Sequence, residues 1–366
     1  MTGPVEPPAL AALRGEFAVC AELAYLNAGT DGPLPARAVR AAGEELAREA
    51  HAGRTQRHFE RRAALREELR GAYASVLGCA AADLALTTCT SEGLAHVICG
   101  LPLGPGEEIL TSDEEHPGLL GTLAAARELR GVEVRAVPLA DIAQAVGPRT
   151  RLVACSHVGW VSGSLAPREL RQLDVPVLLD GAQGVGAVPT DVAALGCDAY
   201  AGAGQKWLCG PDGTGMLFLS PRLRERLAVP RRGYGNLADP DRGLDAAVHA
   251  DARRFDAFAL SAEALACALA ALEVLSAPGW PVLHERARLL AQELARRLAQ
   301  DGRALAPRAQ TTLVSFTSPD PAAERARLAE HGVIVRDIPG RPWLRASVGA
   351  WNDERDIERL CAALRA

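Results

Sequence analysis

Residues 201–215 read AGAGQKWLCGPDGTG, and Lys206 within them is the only lysine in the chain; the other 39 of its 40 basic side chains are arginines. Most surface cations need only a positive charge, so a codon drift toward arginine is neutral at those positions. Lysine alone can shed its proton to act as a base or form an imine, whereas guanidinium stays charged. The plain alternative is chance survival of one surface lysine. Its setting argues otherwise, because the stretch joins two strand-like runs, CDAYAGA (197–203) and GMLFLS (215–220), through a glycine-rich turn.

Outward from this stretch the alternation continues. DLALTT (83–88), EEILTS (107–112), VEVRAVPL (132–139), RLVACSHV (151–158) and VPVLLD (175–180) read as strands, with helix patterns at 117–130 and 166–173 between them. Strands alternating with helices predict an α/β layer on a largely parallel sheet. From 261 to 300 the pattern is helical, with a break expected at APGWP (277–281). The tail reads strand, helix, strand, helix, with Asn352 as the expected N-cap of the last helix.

Composition bounds the function. Hydrophobic residues make up 48% and charged residues 23% of 366, an ordinary globular balance. A formal net charge of −5, with arginines scattered among acids, gives no support for a nucleic-acid partner. No apolar run reaches membrane-spanning length, and MTGPVEPPAL lacks the regions of a signal peptide, so a cytoplasmic protein is expected. Nine cysteines without a CxxC pair argue against a disulfide framework or a zinc site.

Ligands of open α/β sheets sit beyond the carboxyl ends of strands. Three polar groups fall at such ends. Thr90 and Ser91 precede a helix and offer hydroxyls and amides to a phosphate, although simple N-capping would use one of them as well. Asp180 closes the apolar run VPVLLD with Gln183 three residues on, and His116 comes after another run in SDEEHPG. Each has an ordinary structural reading when taken alone.

Taken in order, TSEG, EEHPG, SHVGWVSG, DGAQGVGAVP and AGAGQKWLCGPDGTG resemble the fold-type I pyridoxal-phosphate enzymes, in the class V aminotransferase and cysteine desulfurase group. YLNAGTDGPLP (25–35) and RASVGAWNDERDIERL (345–360) extend the resemblance over nearly the whole chain. The resemblance implies a large domain at 28–260 with a mostly parallel seven-stranded sheet, and a small α+β domain from 1–27 and 261–366. It implies pyridoxal 5'-phosphate held on Lys206 as a Schiff base, with Lys206 then serving as the Cα base. Asp180 would pair with the pyridine nitrogen, Gln183 reach the ring hydroxyl, and His116 lie over the ring. Thr90, Ser91 and Gln205 would receive the phosphate, Arg345 would clamp the substrate carboxylate, and Asn27 and Trp160 would border the substrate. A homodimer acting on a small amino acid is implied too, with no metal.

Four positions depart from the desulfurase pattern: Ala203 and Ala259 replace phosphate-binding hydroxyls, Gln205 stands where histidine is usual, and Trp160 stands for an asparagine. A desulfurase also needs a mobile thiolate in the small domain, yet no cysteine lies between Cys267 and Cys361, and Cys209 reads as a packed small residue. The details look more like the carbon–sulfur lyases of this group, which act on cysteine, cystine or related thioethers by β-elimination. A class V aminotransferase, an amino-acid epimerase and a non-catalytic binding protein on the same fold remain alternatives.

Overall fold

Except for the charged run EVRAV at 133–137, the strand-like runs are short and apolar on both faces, so they must be covered by helices on both sides. In the computed structural model, which describes residues 8–366, they form one seven-stranded sheet. Residues 1–7 of the expected small domain lie outside the described residues. The strands are β1 (Leu84–Thr87), β2 (Glu108–Ser112), β3 (Glu133–Val137), β4 (Thr150–Ser156), β5 (Val177–Asp180), β6 (Ala199–Ala203) and β7 (Gly215–Leu219), in the order β1-β7-β6-β5-β4-β2-β3. β7 runs against both of its neighbours, and the remaining pairs are parallel. All seven expected strands are therefore present in one mostly parallel sheet.

The helix expected at 117–130 spans Pro117–Arg130. The one expected at 166–173 is instead a single 3-10 turn, Arg168–Gln172. Pro167 precedes it and Leu173 is already extended, which leaves too few residues for an α-helical ladder. The break at 277–281 separates helices Ala262–Ser276 and Trp280–Gln300, bent by 77°.

The tail forms a second, smaller sheet from β8 (Leu313–Thr317), β9 (Arg336–Asp337) and β10 (Trp343–Ser347), antiparallel in the order β9-β10-β8. Its core joins Phe316, Leu344 and Leu360 to Leu290, Leu294 and Leu298 of the Trp280–Gln300 helix. Asn352 is not the cap of the last helix, Glu354–Arg365. Asp353 is, accepting from the amides of Arg355 and Asp356, because Asn352 is spent on Gly349 N, Tyr25 O and Asp356 Oδ2. The Ala262–Ser276 helix sends Leu265, Ala268 and Leu272 into the core that Tyr73, Leu86 and Leu179 form against the large sheet. No single helix among the described residues is long and apolar enough to cross a membrane.

One buried ion pair anchors the strand that leads to Thr90. Asp256 accepts from Arg70 Nη1 and Nη2 at 3.0 and 2.8 Å, from Arg66 Nη2 at 2.9 Å and from Leu86 N at 2.9 Å. Arg70 also donates to Leu84 O, so β1 is tied to the Gln56–Leu77 helix at both ends. Removing one partner of a buried pair leaves the other charge uncompensated. Asp256→Ala is expected to lower unfolding free energy by about 3–5 kcal/mol in urea titrations.

Candidate active site

β5 and β6 end side by side, and the loops leaving those two ends build the site. Asp180 is the last residue of β5, and its Oδ1 accepts from Ala182 N at 2.9 Å. After β6 the chain turns tightly: Gly204 N donates to Thr214 O, Gly210 N to Gly204 O and Cys209 N to Lys206 O. A methyl group on Gly204 would overlap the hydroxyls of Thr214 and Tyr73. Cys209 takes the left-handed conformation (φ 53°) and is fully buried, with burial holding its thiol far above the ordinary range, as a packed residue would be. From the other side residues 27–32 press on this turn. Gly32 N donates to Gln205 O at 2.7 Å, and any side chain at Gly32 would strike Lys206 O.

A cavity of about 240 Å³ opens over these strand ends. Thr90, Ser91, His116, Trp160, Asp180, Gln205 and Lys206 line it, so seven of the ten expected residues converge. Gln183 lies just outside, donating to Gly29 O at 2.7 Å and accepting from Trp207 Nε1 at 3.0 Å. Asn27 accepts from Thr30 Oγ1 at 2.8 Å and borders a neighbouring cleft instead. Arg345 sits behind the wall, with Nη1 on Trp160 O at 2.7 Å. Ala203 lines the cavity and Ala259 is exposed. A larger apolar cleft of about 710 Å³ beside Trp280 and His284 holds none of these residues.

The sequence reading missed Arg336. It lines the cavity, donates from Nη1 to Thr30 Oγ1 at 3.3 Å, and lies directly opposite Arg345 in the β9–β10 pairing. A charged residue inside VIVRDI was the available signal, but its pairing with Arg345 depends on a hairpin the pattern did not mark. Gly29, Thr30, Cys89 and Ala182 also line the cavity unforeseen.

Burial governs the electrostatics. It lowers the proton affinity of Lys206; Asp180 opposes the shift, while Arg345 and Arg336 reinforce it. Burial raises that of Asp180, against the Ala182 amide and Lys206. His116 is pushed down to about 4 by burial and then by Lys206, Arg336 and Arg345, so its ring is neutral. Its Nδ1 accepts from Gly118 N at 3.0 Å as the N-cap of the Pro117–Arg130 helix, which leaves the proton on Nε2. The ring meets Trp160 edge-on, centroids 5.0 Å apart. Arg345 is pushed down to about 9 by burial and by Arg336.

The polar atoms left over describe a ligand. Thr90 Oγ1, Gln205 Oε1, Arg345 Nε and Nη2, and Ser347 Oγ are buried without a hydrogen-bond partner. The Thr90–Gly100 helix starts at Cys89, which makes no side-chain cap, so the first-turn amides are free of the capping role that Thr90 or Ser91 could have filled. Buried donors and acceptors without partners are costly. An anion at the helix start would accept from Thr90 Oγ1, and a carboxylate at Arg345 would accept from Nε and Nη2, while Asp180 could receive a ring N–H; this set fits pyridoxal phosphate and an amino acid.

Comparison with known proteins agrees. The Aminotransferase class-V family model matches residues 24–360. The chain is 30% identical to the isopenicillin N epimerase of Streptomyces clavuligerus over 96% of its own length and 97% of the relative's. It is 34% identical to a probable cysteine desulfurase of Pseudomonas aeruginosa over 77% of each. Among solved structures, the cystine C-S lyase C-DES in complex with its reaction product cysteine persulfide superposes with a TM-score of 0.90 at 28% identity, covering 95% of this chain and 98% of that one. A lysine mutant of C-DES carrying glycine covalently linked to the PLP cofactor gives the same TM-score. With its mostly parallel seven-stranded sheet and a lysine turn beside a strand-end aspartate, the chain belongs to the class V aminotransferase family of pyridoxal-phosphate enzymes.

Proposed function

We propose that this enzyme is a carbon–sulfur β-lyase for an S-substituted cysteine carrying a second acidic group, as cystine does. The observation that carries the reading is the pairing of Arg345 with Arg336 across β9 and β10, beside Lys206, with no carboxylate among the described residues salt-bridged to either. Like charges directly opposite on a strand pair are destabilising unless something anionic comes between them. One carboxylate would take the orphaned edge of Arg345 and the second would reach Arg336 at the mouth.

Pyridoxal phosphate, when bound, supplies the electron sink that acidifies the Cα proton. The chain's own residues do the rest. Lys206, its proton affinity lowered by burial and by both guanidinium groups, takes that proton. Asp180 would hold the ring nitrogen and favour its protonated form, and neutral His116 would offer its Nε2–H toward the ring. Arg345 orients the carboxylate, and Trp160 with Val161, Ile338 and Trp343 gives the substrate side an apolar wall. Cys267 and Cys361 of the C-terminal half are buried, and β-elimination lets the sulfur leave on the substrate's own fragment, with no protein thiol needed to receive it. Epimerisation is the second reading, favoured by the isopenicillin N epimerase relatives that span nearly the whole chain. It begins with the same proton removal and differs in returning a proton to the other face.

A homodimer accompanies this proposal. Leu34, Val39, Leu46 and Phe59 are large apolar side chains left exposed on and around the first long helices, Ala36–Ala52 and Gln56–Leu77. Light scattering is expected to give twice the chain mass of 38.5 kDa.

Incubation with cystine is expected to yield pyruvate, ammonia and a persulfide; inverted amino acid with solvent deuterium at Cα and no pyruvate would replace the lyase by the epimerase. Lys206→Ala should abolish the borohydride-fixable yellow band. Arg336→Ala should lower kcat/KM for cystine by roughly ten- to a hundredfold, the worth of a charged hydrogen bond, while sparing a substrate with one carboxylate. Arg345→Ala should impair both.

A further inference from the structure

The segment Ser112–His116 (SDEEH) looks like a solvated acidic run, yet each acid is engaged. Asp113 Oδ1 accepts from Leu139 N at 3.1 Å. Glu114 Oε2 accepts from Ser162 N at 2.9 Å and so steadies the loop that carries Trp160. Glu115 turns inward and is 5% exposed. Its Oε1 accepts from Ser112 Oγ and from Ser156 N (3.0 Å), and its Oε2 accepts from Ser156 Oγ at 2.6 Å. No cation among the described residues pairs with it.

This placement is specific. Ser112 ends β2 and Ser156 ends β4, and Ser156 lies opposite Asp180 in the β4–β5 register. Glu115 also directly precedes His116. One carboxyl therefore staples two strand ends, one step from His116 along the chain and one strand from Asp180. We propose that Glu115 is a positioning residue, whose buried carboxyl holds the ends of β2 and β4 and thereby fixes where His116 and Asp180 stand at the cavity.

The inference rests on the reading of His116 and Asp180 as cofactor partners and is independent of the reaction catalysed. The charged and titratable groups facing Glu115 are Asp180 on β5, which disfavours its ionisation, and the buried Cys155 thiol on β4. Burial, against the bonds from Ser112 and Ser156, pushes Glu115 up to about 7. Three hydroxyl and amide partners suit both forms, since a serine oxygen can accept when the carboxyl is protonated. Above that point a second negative charge stands beside Asp180 and raises the proton affinity of groups around the ring.

The tests use Glu115→Gln, Glu115→Ala and Ser156→Ala in the full chain. In the cofactor-free protein, the unfolded chain loses the Glu115 proton from about 4.5 upward, whereas the folded one holds it to about 7. Stability gained from this group thus declines as pH rises through that window, and Glu115→Gln should remove the decline in urea titrations. Loaded with pyridoxal phosphate, Glu115→Gln should move the midpoint of the visible-band titration down by roughly half a unit or more. Glu115→Ala and Ser156→Ala should weaken cofactor binding about tenfold in equilibrium dialysis, as loss of one charge-assisted hydrogen bond implies. If Glu115→Ala does not fold, the two Glu115→Gln titrations decide. Wild-type cofactor uptake with unchanged titrations and affinities in the variants overturns the role of Glu115 alone. Failure of the wild type to take up pyridoxal phosphate overturns the reading of the cavity and this inference with it.

Discussion

Arg345 is wholly buried, and no acid in the described residues pairs with its guanidinium. Burying such a group is expensive unless a partner arrives, so the interior around it is arranged for a guest rather than for the empty chain. Much of the site depends on this arrangement. Gly29 must be glycine because a side chain would enter the space shared by Ser347 Oγ, Gln183 Oε1 and Arg345 Nη2. Gln183 then holds the Gly29 backbone, and Trp160 gives its carbonyl to Arg345. The orphaned Thr90 hydroxyl at the start of its helix repeats the same logic for a second anion. Stability is surrendered in the cofactor-free chain at two anion sites, and ligands restore it.

The short, continuous apolar runs made the sheet legible, because strands buried on both faces leave hydrophobic stretches bounded by turn residues. Asp180 was legible as a polar residue closing such a run, and Lys206 as the chain's single lysine in the glycine-rich turn between two of them. What escaped was whatever depends on pairing between distant segments. Arg336 means little alone and acquires its role only opposite Arg345. Gln183 and Asn27 stand near the site as expected, but their side chains are committed to Gly29, Trp207 and Thr30. The cap of the last helix moved by one residue because Asn352 is drawn to Tyr25, a partner 327 positions away.

The acidic run at 112–116 teaches a complementary point. Composition alone sorts charges to the surface, and that rule holds for most of the arginine–glutamate pairs here, whose worth is small. Glu115 breaks it by finding hydroxyl and amide donors at the carboxyl edge of the sheet, where parallel strands leave such groups without ladder partners.

Residues 27–32 belong to no domain by contiguity. Asn27 bridges to Ser347 at the end of β10, Gly29 O receives Gln183, and Gly32 rests on the lysine turn. A segment made in the first tenth of synthesis is thus secured by a strand made in the last tenth. On the ribosome the large sheet can assemble with Lys206 in its turn, but the cover over that turn cannot lock until the C-terminal strands emerge. The reactive amine is enclosed only in a finished chain, so an unfinished one leaves its lysine beside an unroofed cleft.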